Sequence, residues 1–287
     1  MVFDNDQVLC DLHINDLLGI DGSTVSINGV HDPIINACFI DDENIFVNLF
    51  HKTTETNWHF KYSYKEQSML GQAVATHLNC SQLNFPINNF YDFEHDCVYC
   101  FYRHGESITV NLSDLSEVRT QTIVTESLGQ MYFIYNQILV ANSSDTVLFF
   151  KRVGTRNDDN TMSYRWEKYH EIEKGGFIYF IKGNTQIQIT TERLVYFYRI
   201  DEETLMPIIE NCMYNFMNCS QMMYGSASRY CVTYKTGQIG FNIYRRKYFH
   251  KYMVRLCDDC FDSSRGLSIN SKEIYMISFK NKIRIYD

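Results

Sequence analysis

The stretch from Phe177 to Tyr198 decides the fold. It reads Phe-Ile-Tyr-Phe-Ile over residues 177–181, Lys-Gly-Asn over 182–184, Gln-Ile-Gln-Ile-Thr over 186–190 and Leu-Val-Tyr-Phe-Tyr over 194–198. The apolar residues alternate with polar ones or form runs of about five, and alternation and short apolar runs are both typical of β-strands. Three such strands joined by tight turns predict an antiparallel meander.

The same triplet of strands recurs along the chain. Further triplets are Met131 to Tyr135, Ile138 to Ala141 and Thr146 to Phe150, then Met222 to Tyr224, Tyr230 to Tyr234 and Gly240 to Tyr244, and finally Leu267 to Ile269, Ile274 to Ser278 and Lys282 to Tyr286. One apolar anchor per unit can be taken at Ile27, Tyr62, Val110, Phe150, Tyr198, Tyr244 and Tyr286. Their mean spacing of about 43 residues lies within the roughly 40–45 residues of a four-stranded propeller blade.

This period predicts an all-β fold, a β-propeller of four-stranded antiparallel blades that forms a single domain over residues 1–287. Only 26 residues precede Ile27, fewer than a whole blade needs. Seven blades with an abbreviated first blade over residues 1–27 are preferred, and six blades with a closing N-terminal hairpin are the alternative. A ring must join its last blade to its first, and Gln7 to Ile14 is the candidate closing strand.

The strand ends at Tyr198-Arg199-Ile200-Asp201 and Ile285-Tyr286-Asp287 place an aromatic residue close to an aspartate. With them the chain resembles a degenerate WD-repeat-like β-propeller over essentially its whole length. Neither a Gly-His nor a Trp-Asp dipeptide is present. The resemblance therefore implies the propeller shape and carries over no functional residue.

Composition excludes several classes of protein. The chain has 287 residues with 21 Tyr, 20 Phe and 2 Trp, enough apolar surface to offset the entropy of ordering and exclude disorder. The net charge of −8 does not favour nucleic-acid binding through the overall charge of the surface. The sequence has no membrane-length apolar run and starts with an acidic segment, so a cytoplasmic or nuclear protein is expected, without a membrane partner and with its ten cysteines as thiols.

Polar stretches predict the loops. They are Lys65 to Thr76, Asp114 to Leu128, Gly154 to Ser163, Asp201 to Met217 and Cys257 to Gly266. Within one of them, Glu202 to Met217 is a candidate short helix, because Leu205, Ile208 and Ile209 match one helical face. Pro207 works against that helix.

Motifs for catalysis, cofactors and metals are weak. Cys97-Val-Tyr-Cys100 and Cys257-Asp-Asp-Cys260 lie too far apart for an ordinary zinc module, and Cys97 and Cys100 fall in a strand where positions three apart face opposite ways. The histidines are scattered singly. Asp41-Asp42-Glu43-Asn44 reads as an acidic turn. No cofactor, metal or catalytic residue is predicted, although a hydrolase site assembled in the channel from separate blades is a third, weaker alternative.

The most distinctive charged feature is the basic-aromatic segment over residues 244–252. With the later cations it supplies the candidate binding residues Arg245, Arg246, Lys247, Tyr248, His250, Lys251, Lys282 and Arg284. Such a mixture can hold phosphate while stacking a base, or hold an acidic or phosphorylated peptide. The leading functional prediction is a non-enzymatic scaffold or adaptor that binds protein partners through its loop faces. The alternative is a nucleic-acid or ribonucleoprotein accessory factor that uses this segment.

Overall fold

A computed structural model describes most of the chain. The described residues are 8–18, 34–51, 56–76, 86–102, 107–120, 131–134, 138–143, 146–156, 162–173, 177–182, 186–190, 194–214, 221–224, 230–234, 241–245, 250–254, 266–269, 274–278 and 282–286. The anchor Ile27 and the Cys257/Cys260 pair lie outside these ranges. No helix in the described part is long and apolar enough to span a bilayer.

The described strands form six four-stranded antiparallel sheets. Blade 1 contains β2 (Ile34–Phe39), β3 (Asn44–His51), β4 (Thr56–Ser63) and β5 (Ser68–Thr76). Blade 2 contains β6 (Pro86–Asp92), β7 (Cys97–Tyr102), β8 (Ser107–Asn111) and β9 (Glu117–Thr120). Blade 3 contains β10 (Met131–Ile134), β11 (Ile138–Asn142), β12 (Val147–Arg156) and β13 (Met162–Ile172).

The second half of the chain repeats this plan. Blade 4 contains β14 (Phe177–Lys182), β15 (Gln186–Thr190), β16 (Leu194–Ile200) and β17 (Pro207–Tyr214). Blade 5 contains β18 (Gln221–Tyr224), β19 (Tyr230–Tyr234), β20 (Phe241–Arg245) and β21 (His250–Val254). Blade 6 contains β22 (Gly266–Ile269), β23 (Tyr275–Ser278), β24 (Lys282–Tyr286) and the N-terminal β1 (Val8–His13), which a short helix, α1 (Ile14–Leu18), follows.

The blades form a ring. The first strand of each blade contacts a strand of the preceding blade, through β6 and β2, β10 and β6, β14 and β11, β18 and β14, and β22 and β18, and β2 contacts β22 to complete the ring. β1 pairs with β24 over Val8–His13 and Lys282–Tyr286, so the predicted closing segment supplies the fourth strand of blade 6. The preferred count of seven blades finds no support in the described ranges, because the N-terminal segment contributes one strand to a blade that the C-terminal strands already form.

Apolar residues are buried between neighbouring blades. Leu12, Ile283 and Ile285 of blade 6 pack with residues of blade 1 such as Val47 and Phe60. Further clusters join blade 1 to blade 2, blade 2 to blade 3 and blade 3 to blade 4. Among the ten largest fully buried side chains described, six are phenylalanines and one is Tyr102, so aromatic residues supply much of the packing between these sheets.

Several predicted loops are in fact the fourth strands of blades. Lys65 to Thr76 contains β5, Asp114 to Leu128 contains β9, Gly154 to Ser163 overlaps β12 and β13, and Asp201 to Met217 contains β17. The predicted helix over Glu202 to Met217 is wrong. Leu205 lies in a turn with a φ of 60°, while Ile208 and Ile209 lie in β17, 42% and 54% exposed. An outer strand packs little of its surface, so it lacks the apolar alternation that marks the inner strands.

Strand direction separates the two faces of the ring. Four antiparallel strands bring the chain back to the end of the blade where it started, so the equivalent strands of all blades run the same way. The turns between first and second strands and between third and fourth strands therefore share one face, here named the turn face. The turns between second and third strands and the links between blades lie on the opposite face.

Candidate functional site

The basic-aromatic segment is a hairpin of blade 5. Arg245 ends β20, His250 begins β21 and Lys251 follows it, and the register pairs Arg245 with His250 and Tyr244 with Lys251. Arg246, Lys247 and Tyr248 lie outside the described residues. As a turn between third and fourth strands, the hairpin belongs to the turn face.

Lys282 and Arg284 do not join that hairpin. β20 and β24 are equivalent third strands, and Arg245 ends the first whereas Lys282 begins the second. Lys282 therefore lies towards the opposite face. Arg284 lies in the middle of β24, where its Nε donates to Asp11 Oδ2 at 3.1 Å and its Nη2 forms an ion pair with the same oxygen. The Arg284 side chain thus fastens the closing strand β1.

An exposed aromatic side chain stands on the turn face of blade 2. Phe93 is 69% exposed, the highest value among the large apolar residues that the structure describes as exposed. It lies in the turn between β6 and β7, directly after Asp92, which is fully buried. An aromatic side chain in this setting brings a large contact area with few rotatable bonds.

A buried ion pair fixes the base of this turn. Arg152, on β12 of blade 3, pairs through Nη1 with Asp92 Oδ2, and their side chains are 7% and 0% exposed. The same Nη1 donates to Tyr99 Oη at 3.3 Å, and Nη2 lies 3.4 Å from Glu94 Oε2. The Asp92 carboxylate also accepts from the backbone N–H of Glu94 at 3.0 Å. The turn that carries Phe93 is therefore tied to the neighbouring blade.

Asp92, Glu94 and His95 are the residues of this region that could in principle hold a metal ion. Their ligand atoms lie within 4.8 Å of one another. The Arg152 guanidinium, however, is paired with Asp92 and lies 3.2 Å from His95 Nδ1. A divalent cation would have to displace a buried positive charge that already neutralises the carboxylate. The donor set therefore fits an arginine better than it fits a metal.

The described turns of the turn face are strongly acidic. Their acidic residues are Asp41, Asp42, Glu43, Glu66, Glu94, Asp96, Asp114, Asp201, Glu202 and Glu203. Among the same turns the one lysine is Lys65, which pairs with Glu43. Burial, followed by the carboxylates of Asp96 and Asp41, raises the pKa of Tyr91. The turns of blades 1 and 2 thus act together on a group that lies near both.

Hydrogen bonds hold these turns in place. The Asp41 carboxylate accepts from the backbone N–H groups of Glu43 and Asn44, both at 2.8 Å, and the Tyr64 N–H donates to the Glu43 carbonyl at 3.1 Å. In blade 2 the Leu112 N–H donates to the Asp96 carbonyl at 3.0 Å. The acidic turn predicted at Asp41 to Asn44 is present, and hydrogen bonds hold the described turns of blades 1 and 2 in place.

Cys97 and Cys100 are buried on opposite faces of β7. Cys97 packs with Tyr99 and Phe101 towards blade 3, and Cys100 packs with Val98 and Tyr102 towards blade 1. Two thiols on opposite faces of one strand cannot ligate the same metal ion. Burial raises the pKa of Cys97 to about 11 and holds the pKa of Cys100 well above its ordinary value.

Comparison with known proteins bears on the fold. No protein-family model matches the chain, and no curated protein matches it in sequence. Among solved structures, the β-propeller domain of Myceliophteria thermophila Cps50 (Swd1) is similar with a TM-score of 0.55 at 8% identity, over 91% of this chain and 98% of that one. Kluyveromyces lactis Hsv2 is similar with a TM-score of 0.50 at 9% identity, over 86% and 72%.

The chain has the fold of a WD-repeat-like β-propeller. Identities this low show the fold alone and carry over no functional residue.

Sequence reasoning missed the Phe93 turn. In the sequence His95 is one of several scattered histidines, and Asp92 and Arg152 are 60 positions apart. One local signal was present, because Tyr91-Asp92-Phe93-Glu94-His95-Asp96 places an aromatic residue among acidic ones between two strands. The buried partner on the next blade could not be read from that segment.

Proposed function

We propose that this propeller is a non-catalytic scaffold or adaptor that binds protein partners through its turn face. The observation that carries the proposal is Phe93, 69% exposed on a turn whose base is a buried ion pair between two blades. Binding energy at protein interfaces concentrates in a few aromatic and arginine anchors. An anchor that is already held in place loses little entropy when a partner docks.

The charge of the described turns around Phe93 indicates the kind of partner. Acidic residues surround Phe93 in sequence and continue in the turns of blade 1 and blade 4. Complementary charge speeds the encounter with a partner and selects against acidic proteins. We expect the partner surface to combine an apolar pocket for Phe93 with lysines or arginines at its rim.

The test compares partner recovery by three forms of the protein. The unaltered chain should recover partners in stoichiometric amounts from the source cell, and Phe93→Ala should lose at least about 1–2 kcal/mol of binding free energy, or about tenfold in affinity. Ile209→Ala is the matched control, because Ile209 is also exposed, at 54%, but lies on the outer strand β17 of blade 4. Recovery of an isolated monomer, or equal binding by Phe93→Ala, would contradict the proposal.

A second candidate function uses the basic hairpin of blade 5. The register between β20 and β21 brings Arg245 opposite His250 and Tyr244 opposite Lys251, which supports binding of a nucleic acid through phosphate contacts and stacking. Its test is RNA binding at two salt concentrations by the unaltered chain and by the triple variant Arg245→Ala, Arg246→Ala, Lys247→Ala. Phosphate contacts give a steep salt dependence that the triple variant should flatten. Binding that the substitutions leave unchanged would remove this candidate.

A further inference from the structure

The outer strand of blade 1 differs from the other outer strands. β5 reads Ser-Met-Leu-Gly-Gln-Ala-Val-Ala-Thr, without a charged residue or a proline. The other outer strands described, β1, β9, β13, β17 and β21, each contain at least one aspartate, glutamate, lysine or arginine, and β17 also begins with Pro207. Charges and prolines on an edge strand discourage pairing with further strands. β5 lacks this protection.

β5 also exposes apolar side chains. Met69 is 38% exposed, Leu70 is 50% exposed and Val74 is 55% exposed. β5 ends the order of its sheet, and no other described strand pairs with its outer edge. The edge therefore offers backbone hydrogen-bonding groups beside apolar side chains, the combination that another β-strand recognises.

The regular part of this edge is short. A register shift between Lys61 and Tyr62 leaves Leu70 without a directly opposed residue on β4, so the even ladder runs from Gly71 to Thr76. Six residues of strand span about 20 Å. An added strand would pair along this segment.

Charge bears on which strand could pair with the outer edge of β5. The chain carries a net charge of −8, so two copies repel one another unless they meet at a neutral surface. β5 is the neutral outer strand among those described, and its copy in a second molecule is equally neutral, proline-free and apolar. A two-fold axis brings the two edges together antiparallel, and each edge then pairs with the other.

We propose that β5 pairs antiparallel with β5 of a second copy of this chain, which joins two first blades into one continuous sheet. A contact about 20 Å long covers less than the roughly 1,200–2,000 Å² of a stable interface. The dimer is therefore weak and dependent on concentration. It leaves the turn face of both copies open, so it is independent of the function proposed for Phe93.

Sedimentation equilibrium over about 1–300 µM protein tests the pairing. The unaltered chain should shift from its monomer mass of 33.9 kDa towards twice that mass as the concentration rises. Val74→Lys should weaken dimerisation by at least about tenfold, because it places two like charges at the shared edge. Gln72→Glu, at a second exposed position of the same strand, should weaken it as well.

Ile209→Lys is the matched control. Ile209 is 54% exposed on the outer strand β17, almost the same exposure as Val74 on β5, and its substitution should leave the dimerisation constant unchanged. Thermal unfolding of each variant checks that the propeller itself is intact. A chain that stays monomeric at the highest concentration would overturn the proposal. So would a dimer that resists both β5 substitutions, or one that Ile209→Lys weakens equally.

Discussion

At the residue scale, the pair of Asp92 and Arg152 shows how one contact organises a surface. The two side chains come from different blades and are almost completely buried. Burying two charges is favourable only when their geometry and additional hydrogen bonds offset the lost hydration. Here Tyr99 and the Glu94 N–H supply such bonds, and Phe93 follows Asp92 in the exposed turn.

Removal of one partner of this pair should destabilise the propeller strongly. Asp92→Asn leaves the Arg152 charge buried without its main counter-charge, which is expected to lower the free energy of unfolding by about 3–5 kcal/mol. Urea denaturation measures the change. Glu171→Gln, which removes an exposed ion pair with Lys168, is the control and should cost less than about 1 kcal/mol.

The double variant Asp92→Asn, Arg152→Met extends this prediction. It removes both charges, so part of the lost stability should return. An Asp92→Asn protein as stable as the Glu171→Gln protein would show that the pair does not fix the turn.

Cysteine reactivity is a second property set at the residue scale. Burial, followed by the charge of a neighbouring aspartate, raises the pKa of Cys10 and Cys97 to about 11. At pH 8 only about one in a thousand of such thiols is ionised, and the thiolate is the reactive form. Cys212 is exposed on β17.

A short iodoacetamide pulse on the native protein should therefore modify Cys212 well before Cys10, Cys38, Cys97 or Cys100. Mass spectrometry of the peptides measures the order. Raising the pH towards 11 increases the ionised fraction of Cys10 and Cys97, so their protection should decrease in that direction. Equal rates at Cys97 and Cys212 at pH 8 would contradict the described burial.

At the element scale, the closing strand β1 has two different faces. Leu12 is 4% exposed and packs with Ile283 and Ile285 and with blade 1. Its neighbour Asp11 points the other way, is 34% exposed and pairs with Arg284. Closure therefore rests mainly on apolar packing, with the ion pair as an addition.

Substitutions on the two faces of β1 should separate these contributions. Leu12→Ala is expected to lower the free energy of unfolding by about 2–5 kcal/mol, because it removes buried methyl groups and leaves a cavity. Asp11→Asn should cost less than about 1 kcal/mol, because the pair is partly exposed. Chemical denaturation of both variants measures the difference, and a larger loss for Asp11→Asn would reverse this interpretation.

The sequence pattern predicts the first three strands of a blade but not the fourth, and burial explains the difference. The first three strands of a blade are packed on both sides, so their apolar runs were visible at Phe177 to Tyr198. The fourth strand is half exposed, and β17 presents Ile208, Ile209 and Glu210 in succession. Its pattern resembles a loop or a helix face until the pairing with β16 is known.

At the scale of the whole molecule, ring closure joins the two ends of the described chain. A permuted chain that starts at Gly19 and carries residues 1–18 after Asp287 keeps every strand of blade 6 next to its partner. It should unfold at nearly the same temperature as the unaltered protein. A chain that lacks residues 1–18 exposes the outer edge of β24 and the core around Ile283.

Differential scanning calorimetry of the three proteins measures this contrast. The truncated chain should unfold several degrees lower, since a loss of a few kcal/mol lowers the midpoint by about 2–4 °C per kcal/mol in a domain of this size. If the permuted protein unfolds at the same temperature as the truncated one, chain order and not strand pairing closes the ring.

The sequence alone determined the β architecture, the repeat of about 43 residues and the use of Tyr and Phe as strand anchors, because strand alternation is a local property. It also indicated the closing strand, the acidic turn at Asp41 to Asn44 and the opposite faces of Cys97 and Cys100. Only the tertiary structure decided that the described sheets number six. It alone separated Lys282 from the blade 5 hairpin and brought Arg152 to Asp92, since strand direction and contacts between blades join residues far apart in the chain.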